Sequence, residues 1–99
     1  MKSDYWDKPL KPRIEIHEET DIVAYAEKRG WWAHKFVTPG LVGAPDRIFI
    51  RRGRVVFIEV KKFGEKPRAT QRIVMANMEA HGAEVYWFDN VADAMEVLR

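Results

Sequence analysis

The chain contains no cysteine, which excludes a disulfide framework and a thiolate zinc site. No apolar run approaches the roughly 18–20 residues that a membrane-spanning helix needs. The opening residues, Met1-Lys2-Ser3-Asp4-Tyr5-Trp6-Asp7-Lys8-Pro9, lack the apolar stretch of a secretory signal. The expectation is a soluble cytoplasmic protein with no membrane partner. The three histidines, His17, His34 and His81, have no metal-ligand spacing such as H-E-x-x-H. Ser3, Thr20, Thr38 and Thr70 have no adjacent His–Asp pair, so nucleophilic triad chemistry has no support. The segment Thr38-Pro39-Gly40-Leu41-Val42-Gly43 lacks the Gly-Lys-Ser/Thr ending of a phosphate-cradling loop. Neither sign of charge dominates: the net charge is +2, with 17 Lys and Arg against 15 Asp and Glu.

What is present points to a globular domain. Its 99 residues are 46% hydrophobic and 32% charged, a balance that neither a disordered nor a membrane protein shows. Charge is unevenly placed. Arg47, Arg51, Arg52, Arg54, Lys61, Lys62, Lys66, Arg68 and Arg72 account for more than half of the cations. Acids gather instead near the start, as in Glu15, Glu18, Glu19 and Asp21. A basic centre with a few isolated acids fits a polyanionic partner, although a merely solvated surface would look alike in composition.

Residues 1–13 carry Pro9 and Pro12 and no period, and read as a loosely docked arm ahead of a single domain over 14–99. Ile22, Val23 and Ala26 recur at helical spacing within about 17–29, and Gly30 supplies a stop. Residues 31–37 read as a strand, and 38–45 as a Pro/Gly loop. Residues 46–51 and 54–62 form two further strands joined at Arg52-Gly53 as a hairpin. A helix is expected over 68–81, ended by Gly82, then a strand over 84–88 and a short helix over 91–98. The order αβββαβα predicts an α/β fold with a mixed sheet flanked by helices. Trp31 and Trp32 place one ring on each side of a strand, one for the core and one for an outer surface.

The hairpin carries the chemistry. With a two-residue turn at Arg52-Gly53, Arg51 faces Arg54, Ile50 faces Val55, Ile48 faces Phe57, and Asp46 faces Glu59. Directly opposed residues have Cβ atoms about 4.5–5.5 Å apart. Two ionised carboxylates at that distance repel each other and call for a cation between them. Carboxylate oxygens suit magnesium or manganese. Lys61 lies two residues from Glu59 on the same strand face and would reach a phosphate or a water there. Ile48, Ile50, Val55 and Phe57 share this face, so the site is expected at one end of an otherwise buried surface. Glu19 stands three and four residues before Ile22 and Val23, on the inward stripe of the first helix, where an acid needs a partner. Glu18 is its rival, because helix boundaries are uncertain by a few residues.

These residues form a recognisable pattern. Gly43-Ala44-Pro45-Asp46-Arg47-Ile48, Val56-Phe57-Ile58-Glu59-Val60-Lys61 and a helix-starting Gln71 resemble the VRR-Nuc family of the PD-(D/E)xK nuclease superfamily. The likeness extends to Lys35-Phe36-Val37-Thr38-Pro39-Gly40 and to Gly82, over roughly residues 17–90. The short length is similar to that of the stand-alone virus and phage members. The resemblance implies a restriction-endonuclease-like αβββαβ core and metal-dependent hydrolysis of DNA. It implies that Asp46, Glu59 and the main-chain carbonyl of Val60 hold Mg2+ or Mn2+, with Glu19 on the metal's water shell or a second ion. It further implies that Lys61 orients or helps deprotonate the attacking water, and that Gln71 supports Lys61 or contacts phosphate. Arg68-Ala69-Thr70 departs from the Ser-Pro-type cap frequent in the family. Lys35, Arg47, Lys62, Lys66, Arg68 and Arg72 are the residues expected to follow DNA, with the hairpin-tip arginines Arg51, Arg52 and Arg54 as further candidates.

The expected function is therefore an endonuclease selective for branched DNA, either a Holliday junction or a flap. Cutting two strands symmetrically needs two sites, which implies a twofold homodimer. The competing class is a non-catalytic DNA-binding or assembly module on the same fold, and RNA as substrate stays open.

Overall fold

Arg52 and Gly53 both adopt positive φ, at 50° and 84°. That conformation gives a two-residue turn whose twist matches that of the strands it joins. In the computed structural model, residues 15–99 are described, with side chains from Glu19 onward. The expected arm over residues 1–13 lies outside the described residues. The turn joins β2 (Arg47–Arg51) to β3 (Arg54–Val60) in the register deduced above, with Arg51 opposite Arg54, Ile50 opposite Val55 and Ile48 opposite Phe57. Before the hairpin come α1 (Glu15–Lys28) and β1 (Trp32–Lys35). After it come α2 (Ala69–Ala80), β4 (Glu84–Phe88) and α3 (Val91–Val97).

The sheet order is β1-β2-β3-β4. The first three strands are antiparallel, and β4 runs parallel to β3 after the α2 crossover. This is the mixed α/β sheet expected, in the predicted order. Among the described residues no helix is long and apolar enough to cross a membrane.

The two faces of the sheet differ in cover. Ala33, Phe49, Val56, Ile58 and Val60 alternate onto one face and meet Ile22 and Ala26 of α1, together with Ala94 of α3 and Leu98 just beyond it. Full burial of residues such as Phe49 and Ile58 is worth about 1.5–3 kcal/mol each. Trp31 joins this core and donates its Nε1 proton to the Leu98 carbonyl at 2.9 Å, while Trp32 remains 56% exposed. The two rings divide between core and surface as anticipated.

The opposite face corrects one expectation. Ile48, Ile50 and Phe57 are only half-buried and Val55 is exposed, so the face bearing Asp46 and Glu59 is not the dry one. The cause is topological. Among the described residues the helix on that face is α2, which bridges neighbouring strands and packs on β4 through Val74 and Met75. On that face Trp32 and His34 of β1 are exposed, and Ile48 and Ile50 of β2 are half-buried. Ile73 of α2 points away and is 62% exposed.

Candidate active site

The antiparallel ladder between β2 and β3 ends at Arg47 and Ile58, one step short of Asp46 and Glu59. At that step the main-chain N–H of Asp46 donates to Glu59 Oε1 at 3.1 Å. This bond to a carboxylate ties the two residues together. A further step in the same register sets Pro45 against Val60. Proline has no N–H, so the ladder gains no donor for the Val60 carbonyl there. Pro45 is itself fully buried. Its meaning was present in the Pro-Asp pair but becomes readable only with the register.

Glu59 is 3% exposed, a costly place for a charge without partners. Its Oε2 accepts from Gln71 Nε2 at 3.1 Å and lies 3.4 Å from Lys61 Nζ. Gln71 comes from the first turn of α2. Its Oε1 accepts the main-chain N–H of Arg68 at 2.9 Å, which leaves its NH2 group facing Glu59. Arg68 carries no acceptor to return to the helix, so Gln71 does the capping that a Ser or Thr at position 68 would share. The departure from a Ser-Pro cap is met in this way. Gln71 reaches Glu59 rather than Lys61, and it is buried. Burial first, and then the charge of Asp46, push the Glu59 carboxyl above the ordinary glutamate range. Lys61 and the Asp46 N–H pull it part of the way back. The second cause records that the two carboxylates sense each other.

No family model matches the chain. A protein of Acyrthosiphon pisum secondary endosymbiont phage 1, named "Putative nuclease p44", is 38% identical over 73 residues, which span 73% of this chain and 78% of the phage protein. A solved structure described as a VRR_NUC domain superposes with a TM-score of 0.69 at 28% identity, over 82% of this chain and 94% of that one. The chain belongs to the VRR-Nuc family. It is a nuclease-type domain, on a fold whose members generally use divalent metal ions.

The donor set in this VRR-Nuc domain fits such an ion. Two carboxylates stand at one strand end, and both are hard oxygen donors. Among the described residues no three His, Asp or Glu side chains gather into one metal-sized cluster. Glu19 is turned to Arg47, whose Nη2 lies 3.5 Å from Glu19 Oε1. Arg47 alternates onto the core face, opposite to Asp46, and only 16% of its side chain is exposed. The side chain of Glu18 lies outside the described side chains.

The other expected DNA contacts of this VRR-Nuc domain are on the surface. Lys62, Lys66 and Arg68 are exposed on the segment that leads from β3 into α2. Lys35 is exposed opposite Arg47 at the same end of the sheet. Arg72 lines a groove of about 330 Å³ with Met75, Glu79 and Trp87. Two hairpin-tip arginines are engaged elsewhere. Arg51 donates to the main-chain carbonyls of Arg29 at 3.0 Å and Arg99 at 2.9 Å, and stacks over Trp31. Arg54 makes a two-pronged pair with Glu84, which also accepts from the Tyr86 hydroxyl.

Proposed function

We propose that this protein is a divalent-metal-dependent endonuclease that hydrolyses phosphodiester bonds in branched DNA. The observation that carries the reading is the buried Glu59 carboxylate, gripped by Asp46 and Gln71 with the Lys61 ammonium beside it. A buried acid in that setting is unfavourable for stability and useful for holding a cation. When bound, Mg2+ or Mn2+ supplies a water of lowered pKa and polarises the phosphoryl oxygen. Asp46, Glu59 and the Val60 carbonyl would hold the ion. Glu19, if released from Arg47, would serve as a further oxygen donor beside it. Gln71 fixes the carboxylate of Glu59, and Lys61 sits at the developing negative charge. A fixed cation of this kind is typically worth several kcal/mol of barrier.

Lys35, Lys62, Lys66, Arg68 and Arg72 follow the phosphates on either side of the site. Arg47, paired with Glu19, acts on the geometry of the site. A twofold homodimer supplies the second site that paired incisions need. The exposed Trp32 and Val55, with half-buried Ile50 between them on the site's own face, support this association, since apolar surface of that kind favours an interface.

The test is a cleavage panel of four-way junction, flap, duplex and single-stranded DNA, with Mg2+, Mn2+ or EDTA, for the wild type and Lys61→Ala. The expected result is metal-dependent incision of branched substrates that Lys61→Ala lowers by a factor of about 10²–10³. DNA binding without incision in any metal would replace this reading with the non-catalytic one.

A further inference from the structure

Two arms hold Glu59, and they touch each other at a glycine. Gly43 has φ of 103°, a backbone region that L side chains rarely adopt. A Cβ on Gly43 would lie 3.0 Å from the Thr70 carbonyl oxygen, 3.2 Å from the Thr70 carbonyl carbon and 3.2 Å from its Cγ2. Two of those atoms are main chain in the first turn of α2 and cannot rotate aside. Gly40, in the same loop, has φ of 84° with nothing within 4 Å of its notional Cβ. The close approach therefore belongs to Gly43 and is not a general property of the loop.

Both sides of this contact lead directly to the candidate site. Thr70 is followed by Gln71, whose amide holds Glu59 Oε2. Gly43 is followed by Ala44 and the buried, φ-restricted Pro45, and then by Asp46, whose N–H holds Glu59 Oε1. We propose that Gly43 is a positioning residue, whose missing side chain sets the distance between the loop bearing Asp46 and the helix turn bearing Gln71. A methyl group at position 43 would part the two arms by a few tenths of an ångström. Hydrogen bonds and metal donors at a reacting centre are sensitive on that scale, since a misplacement of about 1 Å can cost 10²-fold in rate. The activity arm of the test rests on the nuclease reading, whereas the spectroscopic arm does not.

The test compares Gly43→Ala with Gly40→Ala. Both place alanine at positive φ, but only the first meets Thr70. The readouts are the Asp46 amide and Gln71 side-chain NH2 resonances in 15N spectra, the thermal midpoint, and single-turnover cleavage of a junction across Mg2+ concentrations. The expected result is that Gly43→Ala moves both resonances, lowers the rate by about tenfold and raises the Mg2+ requirement. Gly40→Ala does none of these. Equal behaviour of the two variants overturns the proposal. So does a Gly43→Ala protein that loses only thermal stability, with resonances and rate unchanged. If Gly43→Ala melts too low to assay, both variants are read in the cold with sucrose, which favours the folded state. A chain that stays unfolded there makes the contact a folding requirement and overturns the positioning role. If the wild type cleaves nothing, the nuclease reading falls, and the two resonances still decide the spacing claim.

Discussion

Gln71 and Glu59 are joined by a 3.1 Å hydrogen bond whose donor is oriented by the start of a helix. Because Gln71 Oε1 is committed to the Arg68 N–H, the amide cannot flip without uncapping α2. Gln71→Leu removes both bonds and should cost about 1–3 kcal/mol, read as a lower urea midpoint. Gln71→Glu keeps an acceptor for Arg68 but sets a second carboxylate against Glu59. Such a pair has raised folded pKa values, so its stability is highest at acid pH and is lost as pH rises through them. The urea midpoint of Gln71→Glu should therefore approach that of the wild type at low pH and fall away towards neutrality. A midpoint that stays parallel to the wild type would refute the contact.

Asp46 raises the Glu59 carboxyl through its charge, second only to burial. Asp46→Asn should relieve that repulsion while keeping the main-chain N–H bond. The metal-free protein should then melt higher by on the order of a few °C. On the proposed function, the same variant should lose the stabilisation expected of Mg2+ or Mn2+ in the wild type, since one of the two proposed anionic donors is gone. Scanning calorimetry with and without metal checks both halves.

On the proposed function, the pH dependence of ion uptake follows from the same carboxyl. Glu59 binds its proton more tightly in the folded state than in the unfolded chain. Its share of stability is therefore full below the unfolded pKa and is lost as pH rises through the raised folded value. Metal binding needs the ionised form and so runs the opposite way. Divalent-ion affinity should begin to fall at a pH above the ordinary glutamate range as the solution is acidified, and calorimetric titration at several pH values measures it. Lys61→Ala removes a group that holds Glu59 ionised and should move this fall to higher pH.

Arg51 offers a prediction of the opposite kind. It bonds the chain just after α1 and the last carbonyl after α3, and covers Trp31, all on the core side of the sheet. Arg51→Ala should cost about 1–3 kcal/mol in unfolding free energy. Junction binding and cleavage per folded molecule should be unchanged. A large loss of DNA affinity would return Arg51 to the phosphate-contacting set.

Much of the site was legible because one turn sets it. Arg52-Gly53 admits a two-residue connection, and that alone fixes Asp46 against Glu59 by counting outward. Which sheet face stays dry was not legible. Residues 55–58 are Val, Val, Phe and Ile, so alternation carries no contrast, and only the docking of α1 and α3 on Val56 and Ile58 breaks the tie. For Glu19, the inward stripe of the helix predicted a buried acid in need of a partner, and the described partner is Arg47. That partner was within reach of the same parity argument, because Arg47 must point away from Asp46. Gln71 was placed by resemblance alone. Its capping role depends on where α2 begins, and neighbouring residues rarely fix a helix start.

The separation of the two sheet faces has an architectural consequence. α1 and α3 anchor the strands from behind, while the carboxylates, lysine and α2 work from the front. The strands act as a partition, with odd and even positions answering to different demands. Substitutions behind the partition should tell on thermal endurance alone, and those in front, on the proposed function, on activity as well. On the proposed function, the exposed Lys62 and Lys66 between β3 and α2 are where a change of charge would retune the DNA accepted while the wall behind keeps the molecule upright.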